Sequence, residues 1–361
     1  MNLSDLDHLR NDKRIRFSEE TVNGETLTIV CYMVGDSDLW NIPMATECRG
    51  SVFDASGKCI SRPFHKFFNI GENDNTQLHM LQGKKFEILE KRDGSMLVPV
   101  KVKGEIFWKT KKSFYSEVAV EASQNVPENV SIVAKAYLDL GMTPIFEYTS
   151  PFNKVVISYG EKPEFVLLAV RDNVTGEYID HESMMHTIFY RSIPPVKTIE
   201  KFDKALEQCL EEVDTIKDFE GWCLRDVSTG FYCKLKTAWY LFQHRARTEL
   251  RERDCFDMWE NESIDDIKSA LSLEGFDLSP IEEIERKASQ LYSRIAMDLC
   301  SILKDIEDKK NFKHIAETYK SHELFGLIMS SVRGKEPNIK KHIHQRYRET
   351  FSLKCVYNKS F

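Results

Sequence analysis

One tetrapeptide in this 361-residue chain, Lys91-Arg-Asp-Gly94, sets a lysine beside an Asp-Gly pair between the apolar runs Ile88-Leu89 and Met96 to Val100. The pattern reads as strand, tight turn, strand. Lys91 is then either a solvated hairpin tip or a nucleophile. By chance alone about one chain in ten of this size would contain K-x-D-G, so the neighbours decide. Downstream, Phe231-Tyr-Cys-Lys-Leu-Lys236 is a strand pattern in which Lys234 and Lys236 share a face, and Lys109 and Lys111 repeat the device. Paired cations on strands suit a triphosphate. Glu47-Cys-Arg-Gly50 and Arg62 to Asn69 add Arg49, Lys66 and Phe68, and Phe146-Glu-Tyr-Thr-Ser-Pro151 puts Glu147 at a strand end. Each alone reads as a surface residue; their order along the chain is what carries weight.

The elements that must position these residues fall into two blocks. Residues 25 to 240 are rich in short β-like runs: Thr26–Met33, Gly50–Asp54, Phe86–Leu89, Met96–Val98, Glu105–Trp108, Val155–Ser158, Phe165–Arg171 and Gly221–Lys236. Helical patterns interrupt them near Glu117–Leu140 and Lys201–Val213. The spacing predicts an α+β domain of antiparallel strands over 1–248. A helical domain is expected over 249–361, where Ser279-Pro-Ile-Glu282 reads as a capping box. Ile281, Ile284, Ala288, Leu291, Ile295, Leu299 and Ile302 then form an apolar stripe that reads as core.

Composition narrows the function. With 42% hydrophobic and 30% charged residues the chain reads as a soluble globular protein. No apolar run nears the roughly 20 residues that span a bilayer. The polar first residues suggest no signal peptide. Nine scattered cysteines without a C-x-x-C pair fit a reducing, cytoplasmic setting and offer no zinc spacing. A net charge of −7 argues against coating nucleic acid non-specifically but allows a local basic groove. Two clusters qualify, Arg245, Arg247, Arg251 and Arg253, and Lys335, Lys340, Lys341, Arg346, Arg348, Lys354 and Lys359; a solvated helix face is the equal alternative.

Taken in order, Glu47-Cys-Arg-Gly50, Arg62-Pro-x-x-Lys-Phe-Phe-Asn69, Lys91-x-Asp-Gly-Ser95, Phe146-Glu-Tyr-x-Ser-Pro-x-Asn153, Thr175-Gly-Glu-Tyr-Ile179, Glu220-Gly and Lys234-x-Lys-x-x-Trp-Tyr240 resemble the covalent nucleotidyltransferases. More narrowly, the chain resembles the RNA ligase 1 family of T4-like phages, with Asp265-Asp-x-Lys268 and Leu324 to Ser330 extending the likeness into the helical block. The resemblance implies a nucleotidyltransferase domain of antiparallel sheets with flanking helices, followed by an all-α C-terminal domain. It implies that Lys91 attacks the α-phosphate of ATP, that AMP passes to an RNA 5′-phosphate, and that an RNA 3′-hydroxyl displaces it. Lys234 and Lys236 would hold the α-phosphate, Arg49, Lys66 and Lys111 the outer phosphates, Tyr32 and Phe68 the nucleotide, and Glu147 the ribose. Glu220, Asp265 and Asp266 would hold Mg²⁺ or Mn²⁺, and Tyr240 would help place RNA or metal. Lys112, where the family has a small turn residue, is a departure.

A protonated lysine must lose its proton to attack, and nearby Lys, Arg and Mg²⁺ charges with burial are expected to depress the pKa of Lys91. Gly94 is expected to let the backbone approach the nucleotide. The resemblance further implies repair of tRNA broken in the anticodon loop, with RNA 5′-phosphate and 3′-hydroxyl ends prepared by a polynucleotide kinase-phosphatase, and no membrane partner. The alternatives are a GTP-using capping nucleotidyltransferase, disfavoured by the helical C-terminal block, and an RNA- or nucleotide-binding protein without catalysis.

Overall fold

The computed structural model describes residues 1–33, 37–190, 195–307 and 309–357. The chain forms two compact units, Met1–Leu241 and Phe242–Phe361. The division falls inside the helix Ala238–Thr248.

The first unit begins with a hairpin of β1 (Ile15–Val22) and β2 (Glu25–Tyr32), to which β3 (Arg49–Phe53) and β4 (Cys59–Ser61) add in the order β1-β2-β3-β4. Asn23 and Gly24 join β1 to β2 with φ of 50° and 74°, the left-handed pair that a two-residue hairpin needs. This hairpin lies mostly ahead of the strand block expected from the sequence. The chain then forms β5 (Phe68–Asn69), β6 (Phe86–Glu90), β7 (Ser95–Val102), β8 (Glu105–Lys109), β9 (Met142–Thr149), β10 (Glu164–Asp172), β11 (Lys201–Phe202), β12 (Gly221–Asp226) and β13 (Tyr232–Lys236). They build two more sheets, ordered β10-β9-β7-β8 and β11-β6-β12-β13-β5. All pairings are antiparallel except β13 with β5.

Strand β9 is buried on both faces, which explains its continuous apolar run. Phe146 and Tyr148 pack with Val130, Val133 and Tyr137 of the helix Glu128–Leu138, whereas Ile145 joins Phe64, Leu89 and Val166 on the other side. Glu147 is therefore a carboxyl set into an apolar strand.

Four local expectations are corrected. Residues 88–100 do not form a hairpin: β6 pairs with β11 and β12, β7 pairs with β8 and β9, and residues 91–94 carry the chain from one sheet to the other. Val155–Ser158 is not a strand, because Val156 and Ile157 give their N–H groups to the Asp93 carboxylate. The helical stretch 117–140 is two helices, Glu117–Gln124 and Glu128–Leu138, broken before Pro127, which has no N–H to continue the ladder. Ser279 does not cap its helix; it lies inside Ser279–Asp305, and Asp277 accepts from its N–H and hydroxyl at 3.0 and 2.7 Å.

The described elements of the second unit are helical apart from an isolated bridge, Arg251 to Cys355. Its core uses the apolar stripe of Ser279–Asp305: Ile281, Ile284, Ala288, Ile295 and Leu299 are buried, with Leu291 and Ile302 packed alongside. Among the described residues no helix is long and apolar enough to cross a membrane. All nine cysteines are free.

Candidate active site

The sheet-to-sheet passage at residues 91–94 is pinned from every side. The Lys91 N–H donates to the Gly221 carbonyl at 2.8 Å, and the Asp93 N–H donates to the Tyr159 hydroxyl at 2.9 Å. The Asp93 carboxylate, 4% exposed, accepts from the N–H groups of Val156 and Ile157, both at 2.8 Å, and from the Tyr240 hydroxyl at 2.7 Å. Gly94 is not left-handed, and what it permits is close packing: a Cβ there would sit 2.5 Å from the Tyr148 carbonyl oxygen and 2.7 Å from Thr149 Cγ2. Gly94 makes room for β9, and it also lines the cavity in which a nucleotide is expected to approach.

Glycine also sets the opposite wall. Gly221 has φ +140°, and a Cβ would meet the Leu235 carbonyl oxygen at 2.0 Å. Only glycine lets β12 and β13 run this close, and the preceding Glu220 is thereby set beside Lys91. Lys91 Nζ lies 2.8 Å and Lys236 Nζ 3.2 Å from Glu220 Oε1. Glu220 Oε2 is buried with no hydrogen-bond partner. An ionised oxygen left in that state is costly and marks a place for a further cation. A hard divalent ion that prefers oxygen fits it.

Next to these groups is a cavity of about 200 Å³. Phe64, Phe67, Leu89, Met96, Leu168 and Ile199 give it an apolar wall; Arg49, Lys91 and Glu147 supply charge. Arg49 Nη1 is buried without a partner, and its guanidinium lies 5.5 Å from the Phe67 ring. Lys234 Nζ lies 5.8 Å from the same ring. An aromatic wall facing convergent cations suits a nucleotide, base on one side and phosphates on the other.

The charges shift one another. Burial would lower the Lys91 pKa, but Glu220, Cys223 and Glu147 outweigh it and push it up to about 12. The expected depression counts Mg²⁺ beside the Lys and Arg charges; the chain's own groups act the other way and hold the amine protonated in an ion pair. Burial pushes Glu147 up to about 8, Lys91 opposing and Glu220 reinforcing. Lys234 is pushed down to about 8 by burial and then by Lys66, Lys91, Lys236 and Arg49. Lys111 is also lowered, mainly by burial.

The remaining expected residues divide. Lys66 Nζ lies 4.3 Å from the Phe68 ring and 5.7 Å from Trp40, and Lys111 Nζ lies 4.0 Å over Tyr32, whose ring meets Trp40 at 4.9 Å. These four expected residues form a cation–aromatic cluster, and none of them lines the cavity. Trp40, which joins the two halves of that cluster, was not expected from the sequence. Lys109 is not a second surface cation beside Lys111 but is fully buried. Tyr240 is 2% exposed, with Lys236 over its ring at 4.7 Å and its hydroxyl donating to Asp93, which ties it to the passage that carries Lys91. Asp265 and Asp266 are exposed in the first turn of Ile264–Leu273, in the second unit, and Asp265 lies 3.8 Å from Lys268. Of the two basic clusters, Lys359 lies outside the described residues; Arg348 forks Asp257 and Lys340 pairs with Glu262, while Arg245, Lys341 and Arg346 are exposed.

Sequence reasoning also missed the buried support beneath Arg49. Glu47 pairs with Arg62 at 2.9 Å and Arg171 at 2.7 Å, and those cations keep its carboxyl below the usual range although burial pulls the other way. Their spacing of 15 and 124 residues leaves no local signal.

Residues 47–240, more than half of the chain, match a family model described as RNA ligase. A provisionally named RNA ligase of Thermovibrio ammonificans is 34% identical over 249 residues, covering 67% of this chain and 65% of that protein. A provisionally named bifunctional polynucleotide kinase/RNA ligase of Autographa californica nuclear polyhedrosis virus is 29% identical, covering 56% and 31%. RNA ligase 1 of bacteriophage TS2126 is 25% identical, covering 74% and 68%. The first two of these relatives therefore extend well beyond the part this chain matches.

Proposed function

The chain belongs to the T4-type RNA ligase family, and on that premise we propose that it is an ATP-dependent ligase joining 5′-phosphate and 3′-hydroxyl RNA ends. The observation that carries this reading is Lys91, 2.8 Å from a carboxylate whose second oxygen is orphaned, on the wall of a cavity with an aromatic side and a cationic side. In the first step Lys91 gives up its ammonium proton to solvent or to the adjoining Glu220 carboxylate and Nζ attacks the α-phosphorus of ATP; the bond to the bridging oxygen breaks, pyrophosphate leaves, the nitrogen sheds a second proton and a phosphoramidate joins Lys91 to AMP. An oxygen of the RNA 5′-phosphate then attacks that phosphorus and returns the amine. Finally an RNA 3′-hydroxyl attacks the activated 5′-phosphorus and expels AMP.

Each step is an in-line displacement in which placement and charge neutralisation dominate. Arg49 supplies a cation on the cavity wall, with Lys234 by the Phe67 ring and Lys236 beside Glu220. Lys66 and Lys111 extend them towards the outer phosphates, over Phe68 and Tyr32. Glu147, largely protonated near neutral pH, has a proton to donate to a ribose oxygen. Mg²⁺ or Mn²⁺ would be held by Glu220 and would supply the positive charge that draws this carboxylate away from the Lys91 ammonium. We also propose Asp265 and Asp266 as carboxylates on which metal-dependent sealing depends, and their alanine variants should lose it.

Intact-mass measurement after incubation with ATP and Mg²⁺ tests the reading: the protein should gain AMP, and Lys91→Ala should not, while still sealing a pre-adenylated RNA. A wild-type protein that never gains that mass would sink it. Label from GTP alone would favour a capping enzyme, a reading the helical second unit does not support. We further propose a cytoplasmic role in sealing tRNA nicked in the anticodon loop, after a kinase-phosphatase has prepared the ends; the kinase/ligase relative supports the pairing of those activities. Equal sealing of nicked tRNA and matched linear RNA would argue against the tRNA part.

A further inference from the structure

We propose that Lys109 is a positioning residue for phosphate binding: its buried ammonium ties the strand that carries Arg49 to the turn that carries Lys111, and so fixes the spacing of those two cations. The inference rests on the reading of Arg49 and Lys111 as ligands of the outer phosphates of a nucleotide.

Lys109 ends β8 and is 0% exposed. Its Nζ donates to the Gly50 carbonyl at 3.0 Å and to the Lys111 carbonyl at 3.5 Å. The first acceptor belongs to the residue that follows Arg49 in β3, the second to Lys111 itself. The two segments come from different sheets and touch through backbone: Gly50 has φ +95°, and a Cβ there would lie 2.3 Å from the Lys111 carbonyl oxygen and 3.2 Å from Lys109 Nζ. One ammonium closes this junction.

The arrangement is expensive, which is why it is informative. Enclosing a lysine costs several kcal/mol unless a carboxylate pairs with it, and a methionine would fill similar space without a charge to desolvate. The acidic groups acting on Lys109 are the Cys31 thiol on β2 and Glu20 on β1, and Glu20 already accepts from the Phe114 N–H at 2.9 Å. They do not match burial, and Lys109 is held down at about 8. Lys109 is wholly enclosed and its Nζ is turned onto two backbone carbonyls, so its cation does not serve substrate directly. What it touches is the backbone beneath two groups that can: Arg49, with an unpartnered buried Nη1, and Lys111, seated over Tyr32.

The test uses the full chain and ligands of graded charge. Calorimetry with ATP, inorganic tripolyphosphate and AMP is compared for wild type, Lys109→Met and Lys109→Arg, with Tm as the folding control. Lys109→Met should weaken ATP and tripolyphosphate by about tenfold or more and AMP by less than about threefold, since AMP lacks the outer phosphates. Its Tm should change little, because a desolvation cost is removed along with two hydrogen bonds. Lys109→Arg, which keeps the cation, should recover part of the tripolyphosphate affinity. Parallel weakening of all three ligands, or no weakening of tripolyphosphate, overturns the proposal; so does a wild-type protein that does not bind tripolyphosphate. None of these measurements requires turnover. A protein that never forms the AMP adduct yet shows the Lys109-dependent tripolyphosphate effect would defeat the ligase reading alone, and the opposite pattern would defeat the Lys109 assignment alone.

Discussion

Asn23-Gly24 and Asp93-Gly94 look alike in the sequence and differ in every physical respect. At Asn23-Gly24 the chain reverses: both residues have positive φ, Val22 faces Glu25, and the mobile end of the Lys103 side chain reaches the turn, donating to the Asn23 carbonyl at 3.3 Å. At Asp93-Gly94 the chain passes between two sheets, Gly94 is not left-handed, and the aspartate carboxylate is buried under three donors. A hairpin tip is specified locally, whereas this passage is held by residues 156, 157, 159, 221 and 240. That is what a nucleophile requires, since an amine on a free turn would lose the placement on which in-line attack depends.

The largest expected difference between the two comes from removing the anchor. Asp93→Ala leaves the Val156 and Ile157 N–H groups and the Tyr240 hydroxyl without their acceptor in a buried place. At about 1–3 kcal/mol for each unsatisfied group, denaturant unfolding should show a loss of several kcal/mol, with no detectable AMP adduct. Near-normal stability would mean that the passage is held by something else. Gly94→Ala comes next. Its methyl group would press on the Tyr148 backbone oxygen, an overpacking of about 1–3 kcal/mol that must be relieved by moving β9 and hence Glu147. The rate of Lys91 adenylylation, measured by mass at saturating ATP, should fall at least about tenfold; an unchanged rate would separate Gly94 from the site.

The same contrast shows what the sequence could and could not reveal. Lys91, Arg49, Glu147, Glu220, Lys234 and Lys236, which lie on or beside the cavity, could be singled out because each is a charged residue in a short motif within or next to an apolar strand. The helical second unit was legible from the stripe Ile281 to Leu299. The hairpin at Asn23-Gly24 was missed although the dipeptide is the stronger turn signal, and the weaker one at Asp93-Gly94 was taken for a hairpin, because a local rule cannot see which strands pair. Trp40, Lys109 and the Glu47–Arg62–Arg171 support escaped because their partners are remote in sequence. The Lys91 shift within the chain itself runs opposite to the expectation, because Glu220, expected to face metal, also pairs with the lysine.

That reversal gives a pH-dependent contrast. Asn23-Gly24 has nothing to titrate. Lys91 does, and its pKa in the folded protein, about 12, is above the ordinary 10.5. Its contribution to stability is therefore fully present below pH 10.5 and is lost as pH rises through 12, amounting to at most about 2 kcal/mol. Glu220→Gln removes the ion-pair partner and leaves burial to lower the Lys91 pKa, so unfolding free energies from pH 10 to 12 should decline less steeply in the variant. Parallel profiles would refute the ion pair as the source of the shift.

The smallest effect is expected at the true hairpin. Gly24→Ala forces a side chain into a left-handed φ of +74°, costing about 1–2 kcal/mol. Space is not the difficulty: the nearest atom to the new methyl group is the mobile end of Lys103, at 3.5 Å. Strain at this turn has no route to Lys91 except through loss of the β1–β2 pairing, which a 1–2 kcal/mol change would leave formed. Gly24→Ala should then melt slightly earlier and adenylylate Lys91 at the wild-type rate, where Gly94→Ala, with a similar stability loss, does not. If the two variants lose adenylylation in proportion to their stability, the passage at 91–94 is no more than another turn, and its contacts with residues 156, 157 and 240 do not serve the reaction.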